Sequence, residues 1–397
     1  MKKTSGFTLV EMLIATIVMM AVTGAVFQLM NPTQGTFQAQ PEVSDLQQRM
    51  RVGADVLSAD LLMAGAGTYM GATPGALLNF FAPVMPHRRG DIDPDQPDSF
   101  RDDAISLVFI PPTPSQTTVN KVLGKGNSQE IDVNAQRECG TNKHHALCGF
   151  EEGMRVMIFD VTGTWDVTTI TNVQDEALHL QHNSKLSGAY DSGSAVISQV
   201  ATRTYYLKSD DETQTYQLMQ YDGYQTDIPV VDNVVKLQFE YFGDPQPPRL
   251  IPNKSLSDTV GPWTTYGPKP PVVGADLNSQ DEYATGENCT FTVSDGQHVP
   301  RLSVLGAGGT QRVKLTASEL TDGPWCPNAT VANRFDADLL RIRQVRVTLR
   351  VQAALAALRG PAGVLFSKGG SSTSAQRFVP DQEIRFDIAP RNMNVGR

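Results

Sequence analysis

Long apolar runs are nearly missing from this 397-residue chain. Only the stretch from Phe7 to Met30 is long enough to cross a bilayer, and no second run of comparable length follows it. Basic residues are in short supply as well. The 33 Lys and Arg stand against 42 Asp and Glu, a formal charge of −9, which argues against general binding to a nucleic-acid backbone. Between Lys3 and Arg49 there is no basic residue at all. Catalytic signatures are equally scarce. The chain has no G-x-S-x-G elbow, H-E-x-x-H pair, phosphate-binding G-x-x-x-x-G-K or dinucleotide fingerprint. The expectation is a protein that is not an enzyme, carries no cofactor and binds no nucleic acid.

What is present describes a folded protein. Hydrophobic residues make up 40% and charged residues 19%, ordinary values for a globular chain. The length suits two average domains or one large β domain.

The N-terminus is the most informative stretch. Lys2 and Lys3 precede the apolar run and Glu11 is the one charge inside it. A helix over Phe7–Met30 would be roughly 36 Å long, enough for a ~30 Å hydrocarbon core. A carboxylate at the bilayer centre costs about 2.5–3.5 kcal/mol, so Glu11 marks a function by default. The basic asymmetry places the N-terminus in the cytoplasm and the rest of the chain across the membrane. A secretory signal peptide would have a shorter apolar core, and a plain anchor would not need the carboxylate.

Gly6-Phe7-Thr8-Leu9-Val10-Glu11 resembles the type IV prepilin signature, a G-F-T-L-x-E box ahead of an apolar helix. The resemblance implies that a prepilin peptidase/N-methyltransferase cuts between Gly6 and Phe7 and methylates the new Phe7 amine. Residues 1–6 would be the leader and 7–30 the transmembrane and filament-core helix. Glu11 would then pair with the N-terminal ammonium of a neighbouring subunit, because a carboxylate in lipid needs a partner.

After Met30, Asn31-Pro32 and Gly35 are expected to kink or interrupt the helix. From Pro41 a 3.6-residue period resumes, with Val43, Leu46, Met50, Leu57 and Leu61 on one face and Asp45, Gln48, Arg49, Asp55 and Ser58 on the others. Gly65 and Gly67 give a stop, so 31–70 reads as an amphipathic continuation. Asp45-Leu46-Gln47-Gln48 and Leu57–Gly65 resemble the "LQ…LSxDLRMAG" pattern of PilW-like minor pilins, with Leu62 where that family often has arginine. Thr204-Tyr205-Tyr206, Val231–Phe239, Ile342–Leu349 and Pro390-Arg391-Asn392 are similar to the same family in order and type. The implied fold is α+β: a long N-terminal pilin-type helix packed on a mostly antiparallel β-sheet domain. Implied partners are other major and minor pilins and the pilus assembly platform in the inner membrane, with the globular part periplasmic and later at the cell surface.

Beyond Gly71 the period becomes that of strands. Residues 71–242 read as a β-rich domain with strands at Ala104–Ile110, Met154–Asp160, Trp165–Val173, Ala177–His182, Val200–Leu207, Tyr216–Tyr221 and Val234–Phe242. Residues 243–335 read as a Pro- and Gly-rich, Cys-bracketed insertion. Residues 336–397 return to the domain through Leu340–Gln352 and Glu383–Ile388.

The four cysteines allow three pairings, of which Cys139–Cys148 with Cys289–Cys326 is the simplest in an oxidising periplasm. A metal site is the rival for the first pair, because His144 and His145 lie inside it, but the spacing is not that of zinc ligands. Asp91, Asp93 and Asp95 open like an EF-hand loop, yet Gln96 stands where the glycine belongs, so a solvated acidic loop is expected. His179 and His182 should face opposite sides of a strand as exposed decoration. Arg88-Arg89, Arg343, Arg346 and Arg350 should form solvated faces. Type IV pilus assembly, filament initiation or tip included, is the leading function. A J-type pseudopilin of type II secretion and a pilus-tip adhesin are the alternatives.

Overall fold

The computed structural model describes residues 6–68, 76–127, 129–136, 139, 145–212, 215–248, 266–268, 283–284, 286–370 and 378–394. Most of the Pro-rich stretch, 249–265 and 269–282, and His144 lie outside the described residues.

The chain opens with one α-helix, Leu9–Met63, of 55 residues. The expected interruption at Asn31-Pro32 and Gly35 does not occur. A proline deletes a single i→i−4 bond, and the ladder continues on both sides of it. The stop falls where expected. Ala64 donates back to Asp60 O at 3.0 Å, and Gly65 turns the chain at φ +77, a conformation that L side chains rarely adopt.

The expected face is the docked one. Leu46, Leu57 and Leu61 are fully buried, and Val43 and Met50 pack against the same core. At Gly53 the helix comes so close that an added Cβ would lie 2.7 Å from Leu349 Cδ2 and 3.4 Å from Val231 Cγ2.

Beneath the helix lies a four-stranded antiparallel sheet in the order Val313–Leu315, Val234–Gly243, Ile342–Val351, Gln382–Ile388. Its register sets Leu237 opposite Leu349 and Tyr241 opposite Val345. A shift between Val234 and Lys236 leaves Val235 outside the pairing, so Val234 is buried instead of Val235. The strand Val313–Leu315 comes from the Cys-bracketed segment, which therefore contributes to this sheet.

A five-stranded antiparallel sheet runs Val84–Met85, Ala104–Phe109, Ala201–Asp210, Thr215–Tyr221, Asp227–Asp232. Between its paired neighbours Ala104–Phe109 and Ala201–Asp210 the chain makes an entire six-stranded sheet: Gln116–Thr118, Val196–Gln199, Arg155–Phe159, Trp165–Gln174, His179–His182, Glu130–Asp132. The strand period of two sorts its side chains. Met157 and Phe159 join the main core, whereas Val156 and Ile158 join a second cluster with Val119, Ile131, Ile170 and Ile197.

Several polar residues expected on wet faces are buried. Arg343 is 1% exposed, with Nε 2.9 Å from Asp244 Oδ2, Nη1 2.8 Å from Leu340 O, and its guanidinium 4.0 Å from the Tyr266 ring centre. Its parity matches Val345 and Val347, not Arg346, so strand alternation already placed it inward. Arg88 lies 4.6 Å from both the Tyr206 and Tyr221 rings, and Arg89 lies 5.1 Å over Trp165. Aromatic faces take the place of water around such cations. His182 is also buried, 3.3 Å from Asn127 Oδ1, whereas His179 on the opposite face meets Asp132 at 2.6 Å. Arg346 and Arg350 remain partly exposed.

Candidate assembly helix and its processing segment

The two halves of the helix have opposite environments. From Leu9 to Gln28 the mean hydropathy is 2.2 and none of the segment is buried within the chain. Ile14, Ile17, Val18, Val22 and Phe27 stand open on every side. Such a surface is stable in lipid or against other apolar helices, not in water. The C-terminal half is docked on the sheets.

Polar clamps join that docked half to the domain. The Glu42 carboxylate receives the Ala354 N–H and lies 3.5 Å from Arg49, which also pairs with Asp45 and reaches Gln352 O at 3.4 Å. Arg49 therefore belongs to the docked surface, not to a solvated one. One turn before the helix ends, Asp60 Oδ2 accepts from Tyr205 Oη at 2.6 Å and Gln220 Nε2 at 3.4 Å, with Arg203 Nε at 3.9 Å. Burial, reinforced by Asp60, raises the Tyr205 hydroxyl above its ordinary pKa and keeps it a donor. Periodicity does not single out Glu42 or Asp60. Their only sequence signal is a carboxylate beside, or on, a face otherwise apolar.

At the N-terminus, Gly6 is exposed, and a Cβ added there would meet no atom within 4 Å; Phe7 is 86% exposed. Nothing in the fold requires glycine at position 6. Thr8 caps the helix. Glu11 N donates to Thr8 Oγ1 at 3.3 Å, and Glu11 Oε2 accepts from Thr8 N at 2.9 Å and from Thr8 Oγ1 at 2.8 Å. This reciprocal capping box gives Glu11 a partner within its own chain.

Residues 1–27 match the family model of the prokaryotic N-terminal methylation motif. The match supports a type IV pilin- or pseudopilin-type substrate of a prepilin peptidase, and the apolar helix fits a single-pass inner-membrane anchor. No curated protein matches the chain.

The cysteines lie apart from this segment. Cys139 bonds Cys148 with Cα atoms 5.6 Å apart, and Cys289 bonds Cys326 with Cα atoms 5.1 Å apart, the pairing read as simplest from spacing. The second bridge is fully buried in the main core. Asp91 and Asp95 are engaged separately, Asp91 with Arg155 at 2.9 Å and Asp95 with the Arg88 N–H at 2.7 Å. Among the described residues, the one carboxylate group of metal-ligating spacing is Asp322, Asp336 and Asp338. Its buried members are already held, Asp336 by the Gly323 and Asp338 N–H groups and Asp338 by Arg341.

Proposed function

We propose that this chain is a PilW-like minor pilin, an assembly subunit that acts by docking and not by catalytic turnover. The observation that carries the reading is the 20-residue apolar helix, exposed over its whole length and headed by the methylation motif. Cleavage after Gly6 makes Phe7 the new terminus. Its ammonium and Glu11 then lie one helical turn apart, so adjacent subunits offset along a filament bring opposite charges together in an apolar bundle. Thr8 holds Glu11 until a neighbour's ammonium replaces that contact. The partners are the prepilin peptidase/N-methyltransferase, other pilins and the inner-membrane assembly platform. The globular domain lies in the periplasm before assembly. Its three larger sheets make a bulky head, which suits a rare initiating or tip subunit better than a repeated shaft unit.

Co-expression with a prepilin peptidase tests the first step. The intact mass is expected to fall by the six-residue leader and rise by one methyl group. Gly6→Val should abolish both changes without altering the fold, because the position is open. Cleavage that continues in Gly6→Val would overturn the reading. Deletion of the gene, scored for surface filaments against secreted enzymes, separates a pilus subunit from a type II secretion pseudopilin.

A further inference from the structure

The five- and six-stranded sheets, together with the loop carrying Asn333, border a cavity of about 360 Å³. That volume lies within the range of small-molecule sites. Arg89 anchors it. Its backbone N–H donates to Ser106 Oγ at 3.0 Å, its guanidinium lies 5.1 Å over Trp165, and Nη2 donates to Asn333 Oδ1 at 3.1 Å. Phe81 stacks on the same indole at 5.4 Å.

Arg89 has no carboxylate at ion-pair distance among the described residues. The nearby acid, Asp166, is occupied by Asn333 Nδ2 at 2.9 Å, Ser187 N at 2.8 Å and Tyr190 Oη at 2.8 Å. Burial and the neighbouring Arg334 push Arg89 down to about 10, still a cation at neutral pH. A desolvated guanidinium without a counter-ion is costly, and its planar fork matches a carboxylate. Trp165 and Lys185 also line this space. Trp165 Nε1 is buried with no acceptor among the described residues, and the exposed Lys185 has no ion-pair partner among them.

The rim also carries Asp91 and Asp95. Both are tied to arginine groups on one side, yet their charge disfavours a dianion such as phosphate, and their free lone pairs accept hydroxyl protons. Of the three cations that line the cavity, Arg155 is paired with Asp91, which leaves Arg89 and Lys185 beside carboxylate acceptors, a set that matches an acid on a polyhydroxylated ring. We propose that this cavity binds a carboxylated saccharide, with Arg89 and Lys185 on the carboxylate and Asp91 and Asp95 on ring hydroxyls.

Isothermal titration calorimetry of the full-length chain, held in a nonionic detergent without sugar headgroups, tests this. The probes are D-galacturonate, D-galactose and inorganic phosphate. Galacturonate is expected to bind at least about tenfold more tightly than either of the others, equivalent to about 1.4 kcal/mol. Arg89→Gln should abolish binding with an unchanged near-ultraviolet circular dichroism spectrum. Should that variant misfold, the exposed Lys185→Ala decides, with an expected several-fold loss of affinity. No binding of galacturonate, equal binding of galactose, tighter binding of phosphate, or wild-type affinity in the deciding variant would each overturn the proposal. The site lies in the globular domain, so the result is independent of cleavage at Gly6.

Discussion

Glu11 is held by its own helix. In a single chain it closes a capping box with Thr8, which satisfies donors that the helix N-terminus leaves open. Sequence reasoning assigns it a partner in another subunit and finds none in its own chain. The structure supplies a local one, three residues away. Asp60 is the corresponding residue at the other end of the helix, where it joins the last turn to Tyr205 and Gln220. Asp60→Ala leaves the buried Tyr205 hydroxyl without its acceptor, so a loss of about 1–3 kcal/mol is expected. Urea unfolding of the full-length protein checks this, with exposed Asp55→Ala as a control expected to stay within about 0.5 kcal/mol. The box from Gly6 to Glu11 is legible because its pattern is local. Asp60 is not, because Tyr205 lies 145 residues away.

At the scale of elements, the helix is readable from short-range signals, whereas the cysteine spacing leaves three pairings open and the structure joins the local ones. The docked face, the glycine stop and most strand positions all follow from periodicity and turn chemistry. Persistence of the helix through Pro32 is not, because a proline's local cost says nothing about how far the ladder on either side extends. The bridges span 9 and 37 residues. In the chain-entropy model, loops of these lengths are worth about 2.6 and about 3.8 kcal/mol. Replacing Cys289 and Cys326 together by Ser is therefore expected to lower stability more than the same change at Cys139 and Cys148. The comparison of urea midpoints between the two double variants reads this order directly. An equal or reversed order would show that native packing, not loop closure, dominates.

At the scale of the whole molecule, buried ionisable groups set the response to pH. Burial pushes Asp336 up to about 7 and Asp160 and Asp338 up to about 6, from an ordinary 3.8. Between about pH 4 and 7 the native state binds more protons at these carboxyls than the unfolded state. Their contribution is therefore complete below pH 4 and is lost as pH rises through that window. His87 works in the opposite sense. Burial pushes it down to about 3 from 6.5, so its protonation on unfolding lowers stability as pH falls from about 6.5 to 3. The paired carboxylates Glu240 and Asp387, lowered chiefly by Lys314 and Arg346, add stability that is lost only in more acid solution. Asp336→Asn should remove one carboxyl from the first group. The fall in urea midpoint from pH 5 to pH 8 is then expected to be smaller in that variant than in wild type. An unchanged slope would assign the dependence to other groups.

Local pattern alone determined the methylation motif, the membrane-length helix, its amphipathic continuation, the strand periods and the α+β class, because each rests on residues within a few positions of one another. Only the tertiary structure decided that Gln116–Gln199 forms its own sheet between two paired strands, and that Val313–Leu315 joins the main one. It also decided that Arg88, Arg89 and Arg343 are buried and that a cavity opens beside Arg89. Those outcomes depend on aromatic rings, carboxylates and carbonyls brought together from distant positions. Whether a charge meets water or a packed partner is settled by such contacts, and periodicity does not encode them.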